Sequence, residues 1–273
     1  MPKKKTNKGN SASKKKEAPA PIPFPRGFRD RRTAVEKAQD VIYDGWDVDM
    51  PDPVAVAKKA LSISPDCADA YNLLADAAES LEQITELYRQ GVAAGERALG
   101  KAFKGYVGHF WGFLETRPYM RARAGLAQCL WELGKCDEAI AHYQDMLHLN
   151  PNDNQGIRDL LMACLLKTSR LEEAEALHKQ YKDDCMATWA YSRALIDFRK
   201  GGDSAKARKS LTKALETNKF VPAYLTGKKK LPTEMPEYYG FGDDNEAVLY
   251  AEGNIESWKM TPGALEWLAA TAK

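Results

Sequence analysis

The stretch YMRARAGLAQCLWELGKCDEAIAHYQDMLHLNP, from Tyr119 to Pro151, decides the fold of this chain. Its apolar residues recur at helical spacing in two runs, with a turn expected at Gly134 and a stop at Pro151. The inward-facing positions are Leu126, Ala127 and Leu130 in the first run, then Ala139, Tyr143 and Leu147 in the second. The stretch therefore predicts two amphipathic helices packed back to back.

This hairpin resembles a tetratricopeptide repeat, a helix–turn–helix unit of about 34 residues with small residues where the helices cross. When Met120 is the first repeat position, seven residues match the motif: Leu126, Ala127, Leu130, Gly134, Ala139, Tyr143 and Pro151. Comparable pairs are expected at about residues 68–99, 151–181 and 189–222. The resemblance implies an all-α, right-handed solenoid of about four helical hairpins, since each repeat buries its apolar face against its neighbours.

Charge and composition divide the chain into three predicted parts. Residues 1–32 carry eleven Lys and Arg residues against two acidic residues, a net charge of +9 that leaves −7 for residues 33–273. With little to bury, residues 1–32 are predicted to be a disordered basic arm. Residues 33–224 are the predicted repeat domain, which begins with a helix capped by Thr33 and Glu36. Residues 225–273 are expected to form a loop and a helical C-terminal cap.

The repeat spacing predicts an insertion at about residues 102–119. Pro65 and Pro151 each end a repeat, yet they lie 86 residues apart, 18 more than two repeats need. The insertion is rich in aromatic residues, including Phe110, Trp111 and Phe113. These residues either extend the preceding helix and fill a gap in the solenoid wall, or form an exposed aromatic surface that recognises a partner.

Several runs resemble a family of tetratricopeptide-like proteins: ISPDCADAYNLLAD, HFWGFLETRPYMRARAGLAQCLW, LHLNPNDNQGIRDLL and YAEGNIESWKMTPGALEWL. The C-terminal part has a fainter similarity to the suppressor of tumorigenicity seven family, in VPAYL and in the ending that follows Trp258. The resemblance covers roughly residues 40–270 and implies a repeat-built interaction protein with no established catalysis. Some relatives carry a metal-binding motif of clustered cysteines and a histidine, which this sequence lacks.

The sequence contains no motif typical of catalysis, metal binding or cofactor binding. Its five cysteines form no CxxC pair and are expected to be reduced thiols in an intracellular protein, and its histidines are scattered. We expect a non-enzyme without a metal or cofactor. The sequence contains no run of 18 apolar residues, so no membrane span is predicted. The expected location is the cytoplasm, with the nucleus as the alternative.

The resemblance also implies a binding groove, because the first helix of each tetratricopeptide repeat lines the concave side of the array. The residues at the corresponding positions are Asn72, Arg121, Gln128, Trp131, Gln155, Arg158, Trp189 and Arg193. Arg121, Arg158 and Arg193 would form a cationic ladder, which suits an acidic peptide or a free C-terminal carboxylate. In the alternative, each arginine pairs with an acidic residue of a neighbouring helix and contributes to stability.

These observations favour a non-catalytic scaffold or adaptor that binds a peptide or partner helix in the groove. The alternative function is a nucleic-acid- or ribosome-associated adaptor, which would use the Lys-rich arm for electrostatic affinity. The arm could equally be a solvated tail, since no aromatic residue lies among its lysines to stack on bases.

Overall fold

Every regular element in the part of the chain that the structure describes is helical. The computed structural model describes residues 31–47 and 52–271. The α-helices are Ala34–Asp47 (α1), Pro53–Ile63 (α2), Ala68–Asp76 (α3), Leu81–Leu99 (α4), Phe103–Tyr106 (α5), Arg117–Glu132 (α6), Cys136–Leu149 (α7), Ile157–Lys167 (α8), Leu171–Gln180 (α9), Ala187–Gly201 (α10), Ala205–Thr217 (α11), Val221–Leu225 (α12), Asp244–Lys259 (α13) and Ala264–Thr271 (α14). From Thr33 onward, the described residues belong to one compact unit.

The helices pair into hairpins that stack in chain order. Helices α3 and α4, α6 and α7, α8 and α9, and α10 and α11 form the four predicted pairs, and α1 with α2 adds a further hairpin before them. Each hairpin packs on the next through contacts such as those of α2 with α3, α4 with α6 and α7 with α8. The prediction of an all-α solenoid of stacked hairpins is confirmed.

Helix ends follow signals that are local in sequence. Before α1, the Thr33 amide donates to Oε2 of Glu36 (2.5 Å) and the Glu36 amide donates to Oγ1 of Thr33 (3.2 Å), which is the predicted capping box. Helix α4 begins after Ser80, which caps its first turn, and ends before Gly100, whose φ is +47°. Gly134 has φ +74° in the turn between α6 and α7.

The insertion is not an extension of the preceding helix. After Gly100 the chain forms α5 and three 3₁₀ turns, at Gly100–Ala102, Phe110–Gly112 and Leu114–Thr116. Phe103 and Phe110 have ring centroids 4.7 Å apart, and both rings contact Tyr119 at the start of α6. The expected helical extension is therefore wrong, because the left-handed backbone at Gly100 redirects the chain and the aromatic rings then pack on α6.

Helix α13, the last helix but one, packs on the first helices of two successive hairpins, α8 and α10. Its Trp258 and Tyr250 are buried, with the Trp258 indole donating to the Tyr250 hydroxyl (2.9 Å). On α10, Arg199 donates to the carbonyls of Leu166 on α8 (2.6 Å) and Ser257 on α13 (2.8 Å). One guanidinium group thus ties the two hairpins and α13 together.

Candidate protein-binding surface

A polar network joins the first helices of three consecutive hairpins, α1, α3 and α6. Its centre is Asp69 on α3, whose carboxylate is almost fully buried. This carboxylate accepts hydrogen bonds from Nε of Arg121 (2.9 Å), Nε2 of Gln39 (2.8 Å) and Nδ2 of Asn72 (2.9 Å). Nη2 of Arg121 also pairs with it, so the arginine binds the carboxylate through two nitrogens. The network fixes the direction of the Arg121 guanidinium group.

An aromatic patch lies beside this network on α1. The Trp46 ring is 47% exposed, and the Arg121 guanidinium lies over it at 5.4 Å from the ring centroid. Tyr43 lies 5.4 Å from Trp46 between ring centroids and interacts with Arg121. Burial disfavours the charged form of Arg121, but the hydrogen bond and the charge of Asp69 outweigh this effect and raise the pKa of Arg121. We call Tyr43, Trp46 and Arg121 the aromatic patch.

Arg158, at the start of α8, is surrounded by acidic groups of its own chain. Its guanidinium pairs with Asp153 (3.0 Å) in the preceding loop and with Asp184 (2.8 Å) in the connection between α9 and α10. It also lies over the rings of Tyr181 and Trp189, at 5.5 and 5.9 Å from their centroids. Trp189 itself is buried. Arg158 and Trp189 therefore hold the α8–α9 hairpin and the α10–α11 hairpin together.

Arg193, on α10, is likewise paired within the chain. Its Nε donates to Asp197 (2.8 Å) one turn further along α10, and its Nη atoms donate to Glu175 on α9 (3.3 Å). The buried Asp197 carboxylate also accepts from the Ser210 hydroxyl (2.7 Å). Arg121, Arg158 and Arg193 contact different neighbouring elements, so they do not form a free cationic ladder. The pairing alternative describes all three arginines.

The other predicted groove residues lie in mixed environments. Asn72 is buried and also donates to the Pro118 carbonyl (3.2 Å). Gln128 is exposed and donates to Glu132 (2.9 Å), while Trp131 is half-buried against the core. Gln155 is half-buried, and its Oε1 atom has no hydrogen-bond partner among the described residues. Of the predicted groove residues, Arg121 is part of the aromatic patch and Asn72 lies in the polar network beside it.

The aromatic residues of the insertion are divided between core and solvent. Phe110 is fully buried, as in the alternative in which the insertion fills the solenoid wall, because its ring packs between Phe103 and Tyr119. Trp111 is half-buried beneath Arg117, whose guanidinium lies 5.4 Å from the ring centroid. Phe113 is 42% exposed. Part of the insertion therefore remains available to a partner.

The matching family model, described as ST7 protein, spans residues 30–273. The chain belongs to the ST7 protein family. It is 28% identical over 245 residues to the rat protein "Suppressor of tumorigenicity 7 protein-like", a match that covers 81% of this chain and 44% of the relative. The "Protein ST7 homolog" of Caenorhabditis elegans is 26% identical over 258 residues, covering 81% of this chain and 48% of the relative. The chain thus spans about half the length of these relatives.

The similarity to the ST7 family extends well beyond the C-terminal runs that first indicated it. Among solved structures, the chain also resembles YrrB, a TPR protein with an unusual peptide-binding site, at 17% identity and a TM-score of 0.45. That match covers 67% of this chain and 84% of the other. The hairpin architecture of this ST7-family chain is established by its own helix contacts.

Sequence reasoning missed Tyr43 and Trp46. Both residues lie on the helix predicted to begin at Thr33, for which the sequence indicated no binding role. The helical spacing gave no signal, because Trp46 lies four residues after Ile42 and so continues the apolar face of the helix. The contact with Arg121, 75 residues further along the chain, could not be read from the spacing.

Several predictions remain untested by the geometry. Apart from Arg31 and Arg32, the basic arm lies outside the described residues, so its disorder and its role in nucleic-acid binding stay predictions, as do the domain boundaries. Within residues 31–47 and 52–271, no helix has the length and apolar character needed to cross a membrane. The same ranges contain no group of three or more His, Cys, Asp or Glu residues that could hold a metal ion.

Proposed function

We propose that this chain is a protein-interaction scaffold that binds a segment of a partner protein on the aromatic patch. The observation that carries this proposal is the 47% exposure of Trp46 on an ordered helix, beneath the oriented guanidinium of Arg121. Tryptophan, tyrosine and arginine are enriched at the energetic centres of interfaces, where large rigid rings bury much area at little cost in conformational entropy.

The position of α13 supports the choice of this patch. Helix α13 packs on α8 and α10, the first helices of the last two hairpins, and therefore occupies surface that a groove ligand would need there. The aromatic patch instead lies on α1 and α6, the first helices of two earlier hairpins. A partner segment is thus expected to lie along the N-terminal half of the array.

The chemistry of the patch favours an apolar anchor in the partner. Arg121 already binds the buried carboxylate of Asp69 through two nitrogens, so an acidic ligand would compete with an ion pair inside the protein. An apolar side chain placed on Trp46 would instead add contact without breaking this pair. The sequence predicts a partner that is acidic or has a free C-terminal carboxylate, and the experiment below also tests that prediction.

Peptide display on phage tests the proposal directly. Random peptides would be panned against the purified full chain in two formats, one with a fixed C-terminal extension and one with a free C-terminal carboxylate, and Kd would be measured by fluorescence anisotropy. Trp46→Ala is expected to raise Kd at least tenfold, as for an interface hot spot. Met260→Ala is the control, because Met260 is 61% exposed at the end of α13.

The outcomes separate the possibilities. Peptides that bind the Trp46→Ala variant as tightly as the unaltered chain would show that the patch is not the binding site. Enrichment in the free-carboxylate format alone would favour the carboxylate partner. Because Trp46 is half-exposed, thermal unfolding of the variant is expected to match the unaltered chain closely enough for the comparison of affinities.

A further inference from the structure

The segment of residues 231–243, which we call the C-terminal loop, displays large apolar side chains to solvent. Tyr238 is 82% exposed, Phe241 77%, Tyr239 52% and Met235 44%. The Tyr238 and Tyr239 hydroxyls have no hydrogen-bond partner within residues 31–47 and 52–271. Four such side chains within seven residues form a larger apolar surface than the scattered exposed residues of an ordinary monomer.

Hydrogen bonds to the start of α13 hold the C-terminal loop in place. Nδ2 of Asn245 donates to the Tyr238 carbonyl (2.8 Å), and the Gly240 amide donates to Asp243 (2.6 Å). The Gly242 amide donates to the buried carboxylate of Glu246 (2.8 Å). The aromatic side chains are therefore presented on an ordered backbone, which reduces the entropy that a binding event must remove.

The C-terminal loop itself is acidic, although three lysines at residues 228–230 precede it, of which Lys229 pairs with Asp244 at the start of α13. Glu234 and Glu237 lie among its exposed aromatic residues, and no Lys, Arg or His occurs between Leu231 and Asp243. Neither glutamate forms an ion pair within the part of the chain that the structure describes. The surface that fits this loop is therefore apolar with positive charge at its border.

The insertion carries a surface of that kind, which we call the insertion ledge. Val107, Phe113 and Leu114 are 38%, 42% and 60% exposed, and the ring of Phe113 lies 4.9 Å from that of Tyr106 between centroids. Arg117 lies over the ring of Trp111, and its Nε donates to the Trp111 carbonyl (3.0 Å).

Basic residues border the insertion ledge. Lys101 and Lys104 are exposed, and within the described ranges neither they nor Arg117 form an ion pair with a carboxylate. Residues 101–117 carry Lys101, Lys104 and Arg117 against Glu115, so the ledge combines exposed apolar side chains with a net positive charge, whereas the C-terminal loop combines them with negative charge.

We propose that the C-terminal loop of one copy of this chain docks on the insertion ledge of a second copy. The two surfaces match in apolar character and are opposite in charge, which favours this pairing over loop-to-loop or ledge-to-ledge contact. Because the two surfaces differ, the contact is head-to-tail and leaves a free loop at one end and a free ledge at the other. Further copies can add at both ends.

The expected affinity is low. An aromatic side chain buries at most about 150–250 Å², so the partly exposed residues of the loop and ledge give an interface below about 1,200 Å², the size range of weak, transient contacts. Self-association is therefore expected to be weak, and higher salt should weaken it further because the charges lie at the surface.

Sedimentation velocity of the full chain at 1–200 µM tests the proposal. At low salt, the weight-average sedimentation coefficient is expected to rise with concentration. The loop variant Tyr238→Ser/Phe241→Ser and the ledge variant Phe113→Ser/Leu114→Ser are each expected to stay monomeric. An equimolar mixture of the two variants retains one intact ledge and one intact loop, so it should form dimers that do not grow further.

A matched control distinguishes docking from general stickiness. Met260→Ser removes an apolar residue that is 61% exposed but lies outside both surfaces, and it should leave the association unchanged. Circular dichroism and thermal unfolding verify that each variant is folded. The proposal is overturned if the unaltered chain is monomeric at 200 µM, if either double variant associates normally, if the mixture stays monomeric, or if Met260→Ser abolishes association.

Discussion

Replacement of Arg158 by alanine is expected to destabilise the chain by about 3 kcal/mol without any direct effect on ligand binding. The Arg158 guanidinium is the cation between Asp153 and Asp184, whose side chains are only 1% and 6% exposed. Without it, two buried carboxylates lose their counter-charge.

The magnitude follows from this geometry. Removal of one partner from a buried ion pair costs about 3–5 kcal/mol. The Arg158 side chain is 22% exposed, so water reaches part of the site and the lower end of that range applies. For a domain of this size, about 3 kcal/mol corresponds to a fall in Tm of roughly 6–12 °C.

Thermal unfolding at pH 7.5, followed by circular dichroism, measures this change. Arg208→Ala is the matched control, since Arg208 pairs with Asp203 at 2.6 Å but both side chains are largely in solvent, and no measurable change in Tm is expected. A Tm for Arg158→Ala within 2 °C of the unaltered chain would refute the reasoning. So would a large effect of Arg208→Ala, because burial would then not be the deciding factor.

Two further predictions concern the pH dependence of stability and helix packing. Burial raises the pKa of Asp159 to about 6, so its charged form costs stability above pH 6 but not below pH 4. In urea unfolding, the Asp159→Asn variant should be more stable than the unaltered chain by about 1–2 kcal/mol at pH 7.5. A gain in the free energy of unfolding that persists unchanged at pH 4 would contradict this. A Cβ at Gly95 would lie 2.8 Å from Cβ of the buried Tyr119, so Gly95→Ala should cost about 1–3 kcal/mol. Gly253→Ala, with nothing within 4 Å in α13, should stabilise by about 0.5–1 kcal/mol, and equal signs for the two glycine variants would exclude helix crossing as the cause.

Most of the fold could be predicted from local sequence patterns. Apolar spacing predicted the helix pairs, and the spacing of Thr33 and Glu36 predicted the capping box, because helix periodicity and capping involve residues at most four positions apart. The repeat spacing also located the insertion between α4 and α6. The path of the insertion was not predictable in this way, since it depends on how Phe103 and Phe110 pack on Tyr119.

The candidate site depends on contacts between distant positions. Spacing placed Arg121, Arg158 and Arg193 on the first helices of three hairpins, which the structure also shows. It did not reveal their acidic partners on other elements, such as Asp69 on α3 and Glu175 on α9. An arginine in a groove and an arginine in a structural ion pair have the same sequence signature.

The sequence by itself determined that the chain folds into stacked helical hairpins, since amphipathic period and turn residues are properties of neighbouring positions. Only the tertiary structure decided which charges are neutralised, that α13 packs on the first helices of the last two hairpins, and that Trp46 lies exposed beneath Arg121. These features require residues far apart in sequence to meet. Once helix packing has brought these side chains together, burial and ion pairing determine which of them remain available to a partner.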